Sequence, residues 1–273
     1  MPQTYPVTLS DVRNPDQYNS ERVTIRYGGR DRTFVVVTPD DLPADAPVLL
    51  YFHGSLQSGN VARNFTGRTF DDMAAARGVR LVYPDGVDRH FNDTRLALRE
   101  KTRLLGVDDV GFTRAIADRL GVESVHACGY SNGGQMVMRL LHDAPDLLAG
   151  AATFAAPMPA ANNRVPGLGT DLVPTPYLAL HGTADDIVQY DGGVAGLDPA
   201  HTRGELISAR ASAEYFAQTN GLGPETHTRY SPLDGVSVDS WSGEAPVELW
   251  SFEGMGHVVP AVAADVVADF FGF

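Results

Sequence analysis

Apolar positions along the chain form short continuous runs and longer amphipathic segments, a pattern that predicts strands alternating with helices. The runs at 23–27 and 33–37 flank Gly28-Gly29 and predict a β-hairpin. The run at 48–52 is apolar throughout, which is typical of a parallel strand buried on both faces. The later predicted elements follow in chain order: helix 70–77, strand 79–83, helix 108–120, strand 125–128, helix 135–141, strands 150–155 and 177–181, helix 206–219, strand 247–252 and helix 261–271.

This order of elements predicts an α/β fold with a mostly parallel central sheet and helices on both faces. The 273 residues are expected to comprise an N-terminal extension, 1–21, and a single domain, 22–273. The Gly- and Pro-rich segments 157–176 and 191–204 are predicted to be loops at the carboxyl edge of the sheet, where ligands bind in such folds.

Composition narrows the classes of function. A net charge of −13 and a pI near 4.9 argue against a nucleic-acid partner, which requires a basic surface. No apolar stretch approaches the length of a membrane span, and the first residues lack the features of a signal peptide. Cys128 is the single cysteine, and the eight histidines form no metal-binding motif. The sequence leaves localisation and oligomeric state open.

The most informative motif is Gly129-Tyr130-Ser131-Asn132-Gly133, which lies between a predicted strand and a predicted helix. A strand, a sharp turn and a helix form a nucleophile elbow, in which a strained turn exposes the serine hydroxyl above the sheet. The flanking glycines leave room where a Cβ would collide with neighbouring backbone. Ser131 is therefore the candidate nucleophile.

A serine nucleophile needs a base and an acid that orients the base, and in this fold they follow the serine in the order acid, then histidine. The first acids after a later strand are Asp185 and Asp186, of which Asp185 is favoured. His257 lies in a glycine-rich loop before the last predicted helix and is the candidate base. His181 is expected to brace the acid loop.

An acyl-transfer transition state also needs two hydrogen-bond donors for the developing oxyanion. The backbone N–H of Asn132, at the start of the helix after the elbow, is the first expected donor. The second is expected from the turn after the 48–52 strand, with the N–H of Ser55 preferred and that of Leu56 as the alternative.

Together these motifs make the chain resemble α/β-hydrolase esterases of the polyhydroxybutyrate depolymerase-like and feruloyl esterase-like groups. The resemblance spans about residues 22–271 and rests on these segments: His53-Gly54 with Gln57, Tyr83-Pro84-Asp85-Gly86, Phe91-Asn92-Asp93, 108–112, 129–134, 181–185 and Gly256-His257. It implies a serine-dependent carboxylic ester hydrolase with no metal or organic cofactor, acting on a small-molecule or polymeric ester. The chain has no long insertion after 150–155, so no large lid is expected.

The resemblance also suggests residues that contact the substrate: Leu56, Gln57, Phe91 and Tyr130. Phe91 stands where relatives commonly have tryptophan, and the sequence leaves open whether it lines the pocket or anchors its loop in the core. Two alternative functions also remain open from the sequence. One is a non-catalytic binding protein that retains the fold, and the other is a serine peptidase or acyltransferase with the same triad.

Overall fold

The computed structural model describes residues 17–196 and 202–273. Their strands and α-helices are, in chain order, β1 (Tyr18–Tyr27), β2 (Arg30–Pro39), β3 (Val48–Phe52), α1 (Gly59–Phe65), α2 (Thr69–Arg77), β4 (Arg80–Pro84), α3 (Lys101–Leu104), α4 (Asp109–Leu120), β5 (Val125–Tyr130), α5 (Asn132–Asp143), β6 (Leu148–Phe154), β7 (Tyr177–Gly182), β8 (Gly193–Gly196), β9 (Thr202–Leu206), α6 (Ala209–Thr219), β10 (His227–Leu233), β11 (Val236–Trp241), β12 (Val247–Phe252) and α7 (Ala263–Phe271). No helix in this part of the chain is both long and apolar enough to cross a bilayer.

A ten-stranded sheet has the order β1-β2-β4-β3-β5-β6-β7-β12-β11-β10. The strands from β4 to β12 in this order run parallel, and the two strands at each side are antiparallel. The predicted mostly parallel sheet is therefore confirmed. Strands β8 and β9 pair only with each other and form a separate hairpin.

Alternate residues of β3 show how the sheet is covered. Leu50 and Phe52 pack in a core that contains residues of α4, α5 and α6. Leu49 and Tyr51 point to the opposite face, into a core that contains residues of α1, α2 and α7. Because successive side chains of a strand point to opposite faces, an apolar run such as β3 is buried on both sides. The predicted helices on both faces are confirmed.

Local sequence determines where several helices begin and end. Asp108 caps α4 by accepting a hydrogen bond from the N–H of Gly111 at 2.8 Å, and Ser208 caps α6 through the N–H of Ala211 at 3.0 Å. Gly121 ends α4 in the left-handed conformation, with φ of 71°. The cap at Ser208 explains why α6 begins later than the predicted helix 206–219.

Two hairpins differ from the sequence-based expectation. β8 and β9 occupy part of the segment 191–204, which was predicted to be a loop, whereas 197–201 lies outside the described residues. The β10–β11 hairpin was not predicted, because β10 is a largely exposed edge strand with little apolar signal. Its Asp234-Gly235 turn, with Gly235 at φ of 70°, is the signal that could have revealed it. Strand pairing also extends to Tyr18, within the segment expected to be an extension.

Candidate active site

Ser131 lies between the end of β5 and the start of α5, in a backbone conformation that is strained for a residue with a side chain. Its φ of 53° and ψ of −114° are outside the common regions, and its N–H donates to the carbonyl of Phe154 at 2.9 Å. A Cβ on Gly129 would lie 2.4 Å from the backbone of Gly133, and one on Gly133 would lie 2.0 Å from the carbonyl oxygen of Phe52. The glycines therefore allow the close backbone contacts that the elbow requires.

The three candidate triad residues form a continuous hydrogen-bonded chain. His257 Nε2 is 3.1 Å from Ser131 Oγ, and His257 Nδ1 is 2.7 Å from Asp185 Oδ2. These distances place the imidazole between a hydroxyl that can lose a proton and a carboxylate that can fix the ring tautomer. The geometry fits a serine nucleophile with its base and its orienting acid.

Asp185, and not Asp186, contacts the histidine. Asp185 Oδ1 accepts hydrogen bonds from the N–H groups of Ile187 at 3.0 Å and Val188 at 2.8 Å, so the carboxylate is fixed from both sides. Asp186 is exposed and is hydrogen-bonded to none of the triad residues. The structure therefore places Asp185, the acid favoured from the sequence, beside His257.

The surroundings of Asp185 favour its ionised form. Burial alone would raise the pKa of this carboxyl group, but hydrogen bonds from His181 and His257 outweigh it and lower the pKa below its ordinary value. His181 Nε2 lies 3.3 Å from Asp185 Oδ2 and 2.8 Å from the carbonyl oxygen of Val188. His181 therefore lies beside the acid loop, as expected for a residue that braces it.

Tyr130 holds the loop that carries the base. Its hydroxyl donates to the carbonyl oxygen of His257 at 2.7 Å, and its ring centroid is 5.0 Å from that of the histidine. The Tyr130 ring also stacks with Phe65, at a centroid distance of 5.2 Å. Tyr130 thus contacts both the base loop and an aromatic side chain at the cavity.

The turn after β3 offers one free backbone donor beside the elbow. Within residues 17–196 and 202–273, the N–H of Ser55 has no hydrogen-bond acceptor, and neither does that of Asn132. The N–H of Leu56 is already used, because it donates to the carbonyl of Arg89 at 3.0 Å. The geometry therefore favours Ser55 and Asn132 as the oxyanion donors over the alternative with Leu56.

A buried histidine fixes this turn. His53 Nδ1 is 2.8 Å from the carbonyl oxygen of Gly54, and Nε2 accepts from the N–H of Gly86 at 3.0 Å. An acceptor role at Nε2 requires the proton on Nδ1, which defines a neutral tautomer. Burial lowers the pKa of His53 to about 4, in agreement with that neutral form. His53 thus shapes the turn without a charge.

A cavity of about 260 Å³ opens at Ser131 and His257. Three of the predicted substrate-contacting residues, Leu56, Gln57 and Tyr130, line it. The expectation that Phe91 lines the pocket is wrong: its side chain is fully buried, with its ring centroid 5.2 Å from that of Phe52. The loop of Phe91 is drawn into the core, so Phe91 anchors the loop instead.

The side chain of Asn132 explains why this loop lies against the elbow. Asn132 Oδ1 accepts from the N–H of Phe91 at 2.8 Å, and Nδ2 donates to the Phe91 carbonyl at 3.0 Å and to Asp93 Oδ2 at 2.6 Å. The residue after the candidate nucleophile therefore binds the Phe91-Asn92-Asp93 segment directly. Two motifs that are distant in sequence form one buried network.

Sequence reasoning missed several residues of the cavity. Phe65 and Ile187 contribute apolar surface, and two arginines, Arg95 and Arg203, line the cavity as well. No local pattern marks Arg95 apart from its position soon after Phe91-Asn92-Asp93. Arg203 lies in the segment 191–204. The prediction that this segment lies at the carboxyl edge of the sheet was the signal that could have indicated Arg203.

Apart from the triad cavity, the described residues contain a second cavity and no metal-binding cluster of side chains. A larger cavity, of about 400 Å³, is lined by Thr183, Tyr190, Arg229 and Glu253 among others, but by none of the triad residues. No group of three or more His, Cys, Asp or Glu side chains in the part of the chain that the structure describes is arranged to hold a metal ion. The triad cavity is therefore the candidate active site.

Comparisons with known proteins identify relatives that are named as esterases. The chain is 33% identical over 218 residues to NocK of Nocardia uniformis subsp. tsuyamanensis, a protein named as an esterase, with 74% of this chain and 60% of that protein aligned. It is 24% identical to a protein of Aspergillus niger named as feruloyl esterase C, over 90% of this chain and 85% of that protein. No protein-family model matches the chain.

Among solved structures, an acetyl xylan esterase from Aspergillus awamori superposes with a TM-score of 0.67 at 14% identity, covering 93% of this chain and 99% of that one. Likeness at this level of identity establishes the fold, which is the α/β-hydrolase fold. The resemblance to esterases inferred from the motifs is confirmed by the names of these relatives. The chain spans 60% of the length of NocK.

Proposed function

We propose that this chain is a serine-dependent carboxylic ester hydrolase that acts through an acyl-enzyme intermediate. The observation that carries the proposal is the hydrogen-bonded chain from Ser131 Oγ through His257 to Asp185, with distances of 3.1 Å and 2.7 Å. The esterase names of relatives along most of the chain support the same reaction class.

The proposed reaction begins when Ser131 Oγ attacks the ester carbonyl carbon and its proton passes to His257 Nε2. The N–H groups of Ser55 and Asn132 stabilise the resulting oxyanion. Collapse of the tetrahedral intermediate expels the alcohol, which takes the proton from His257. Water then attacks the acyl-enzyme, again with His257 as base, and releases the carboxylic acid and free Ser131.

Asp185 remains an ionised acceptor throughout this sequence. Its lowered pKa keeps it charged, so it stabilises the imidazolium that forms in each half-reaction and does not itself take the proton. The strained backbone at Ser131 fixes the hydroxyl beside the base before substrate binds. The residues therefore supply a nucleophile, a general base and oxyanion donors without any added group.

The shape of the cavity supports a small ester or one end of a polymeric ester as substrate. The cavity, of about 260 Å³, has apolar surface from Leu56, Phe65 and Val188. The relatives named for feruloyl and acetyl xylan esters make aryl and short acyl esters the first classes to assay.

The test is hydrolysis of p-nitrophenyl acetate, butyrate and octanoate together with methyl ferulate and a polyester film. We expect turnover of at least one ester and complete inactivation by a serine-directed organophosphonate, with one adduct mapped to Ser131 by peptide mass spectrometry. Ser131→Ala should remove both turnover and adduct, whereas Ser237→Ala, on β11, should retain them. Folded protein that hydrolyses none of these esters, or that is labelled elsewhere, would contradict the proposal.

A further inference from the structure

The guanidinium group of Arg95 lines the active-site cavity and has a hydrogen-bond donor without an acceptor. Arg95 is only 3% exposed and lines the cavity. Its Nε and Nη2 contact Asp93 Oδ2 at 3.1 Å and 2.5 Å. Its Nη1 has no acceptor among residues 17–196 and 202–273. Because Arg95 lines the cavity and its Nη1 has no acceptor among these residues, a ligand in the cavity can supply one.

Around Arg95, guanidinium groups outnumber carboxylates. Arg95, Arg103 and Arg203 lie close to the carboxylates of Asp93 and Glu100. Arg203 lines the cavity beside Arg95, and its Nη2 is 2.5 Å from Glu100 Oε1. Three guanidinium groups thus face two carboxylates. In a chain with a net charge of −13, such a cationic cavity end is a local exception.

Apart from the two arginines, the triad residues and a few uncharged polar residues, the cavity lining is apolar, which restricts where a charged group of the substrate would bind. Leu56, Phe65, Ile187 and Val188 provide the apolar surface, and the two guanidinium groups provide the cationic end. An arginine fork matches a carboxylate in shape and charge better than it matches a neutral oxygen. The cavity therefore suits an ester with an apolar body and an anionic end.

A hydrogen-bond network links Arg95 to the residue after the candidate nucleophile. Asp93 Oδ2 accepts from Arg95 and also from Asn132 Nδ2 at 2.6 Å, and Asn132 directly follows Ser131. The guanidinium and the residue next to the nucleophile thus share one acceptor atom. Arg95 and Ser131 also line the same cavity, so one substrate molecule can contact both.

We propose that Arg95 and Arg203 bind a carboxylate on the ester substrate, so that the enzyme prefers esters whose acyl or alcohol group carries a carboxylate close to the scissile bond. This inference rests on the proposed ester hydrolase activity and specifies its substrate class. Both guanidinium groups act as binding groups, and neither takes part in proton transfer.

The first experiment uses the wild-type protein and pairs of esters that differ only in charge. Methyl hydrogen succinate is compared with methyl isocaproate, in which an isopropyl group replaces the carboxylate on the acyl side. O-acetylglycolate is compared with isobutyl acetate, which makes the same replacement on the alcohol side. One of the two pairs should show a kcat/KM about 10- to 100-fold higher for the carboxylate, the range for a hydrogen bond to a charged group, and the responding pair identifies the side that Arg95 contacts.

Variants then test the two arginines through the ratio of kcat/KM for the preferred carboxylate ester to that for its neutral partner. Arg203→Gln should reduce this ratio about tenfold. Arg95→Lys keeps a positive charge beside Asp93 but loses the free Nη1, and should reduce the ratio as well. Arg114→Gln is the matched control: it removes the same charge from a surface pair with Asp146, 41% and 69% exposed, and should leave the ratio unchanged.

The outcomes separate this inference from the proposed function. Hydrolysis of neutral esters without a preference for carboxylate in either pair would overturn the inference and leave the ester hydrolase intact. A carboxylate preference that persists in both Arg203→Gln and Arg95→Lys would also overturn it. Absence of hydrolysis for every ester, charged or neutral, would instead overturn the proposed function.

Discussion

The cavity has two walls of different construction. The catalytic wall contains the proposed triad residues Ser131, Asp185 and His257, which follow β5, β7 and β12 in the parallel part of the sheet. The outer wall contains Arg95 and the β8–β9 hairpin, which contributes Ala195, Gly196 and Arg203 to the cavity. Strand pairing fixes the first wall, whereas the second consists of segments outside the main sheet.

One side chain joins the segments of the outer wall. Asn163, 4% exposed, accepts from the N–H of Ala97 at 3.0 Å and donates to the carbonyls of Arg203 and Glu205, both at 3.0 Å. Its own carbonyl accepts from the N–H of Leu96 at 2.6 Å. A single buried amide therefore holds both cavity arginines in place through their neighbours. The sheet therefore positions the proposed triad, whereas contacts between loops determine the shape of the cavity.

The largest expected effect separates the two adjacent acids of the catalytic wall. Asp185→Asn should lower kcat by a factor of about 10⁴, because the neutral amide no longer enforces the productive tautomer of His257 or stabilises its charged form. Asp186→Asn, at an exposed position, should change kcat less than about threefold. Steady-state kinetics on p-nitrophenyl butyrate measures both. A larger loss in Asp186→Asn would reverse the assignment of the acid.

The catalytic wall could be predicted from sequence because its residues follow buried strands in a fixed chain order. The structure brings the predicted Ser131, His257 and Asp185 within hydrogen-bonding distance of one another. Glycine spacing was informative because a Cβ on Gly133 would meet the Phe52 carbonyl oxygen at 2.0 Å. These are local or topological constraints, which a single sequence displays.

The outer wall could not be predicted because its contacts join segments that are distant in sequence. Nothing near Asn163 indicates that its amide would bind the backbone at both Ala97 and Arg203. The sequence likewise left the side chain of Phe91 equally suited to a pocket or to a core. Its burial depends on the hydrogen bonds of Asn132 with the Phe91 backbone, which only the folded chain brings together.

A second prediction tests whether Phe91 is a core residue that does not contact the substrate. Phe91→Trp adds volume at a fully buried position and should lower the free energy of unfolding by about 1–3 kcal/mol. Activity on acetate, butyrate, octanoate and ferulate esters should fall by a common factor. Denaturant unfolding and kcat/KM for each ester measure these effects.

Phe65→Trp is the matched substitution on the cavity side, because Phe65 is 45% exposed and lines the cavity. It should change the order of ester preference with little loss of stability, since an altered apolar contact discriminates between substrates. If Phe91→Trp reorders the esters and Phe65→Trp does not, the assignment of Phe91 to the core is wrong.

A third prediction concerns a substitution that removes hydrogen bonds from the outer wall and leaves the triad residues unchanged. Asn163→Ala removes the hydrogen bonds to Ala97, Arg203 and Glu205 and should raise KM about tenfold, with kcat changed by less than about threefold, because the triad is untouched. Asn162→Ala is the control, since its exposed amide bonds only the side chain of Glu205. A fall in kcat without a change in KM would show that the two walls are not independent.

The smallest expected effect on activity comes from iodoacetamide, whose reaction with a thiol is compared between the two walls. Cys128, in β5 beneath the elbow, is fully buried, and burial raises the pKa of its thiol well above the ordinary value. Because the thiolate is the reactive form, iodoacetamide should leave the folded protein unmodified and its activity unchanged. Val194 lies on the β8–β9 hairpin and is 64% exposed, so Val194→Cys should take up one label within minutes under the same conditions.

Intact mass before and after treatment measures both, with labelling in denaturant as the control for total thiol. Rapid labelling of Cys128 in the folded wild type would mean that the sheet beneath the elbow opens as readily as the β8–β9 hairpin. The contrast between a wall fixed by the sheet and a wall built from loops would then be wrong.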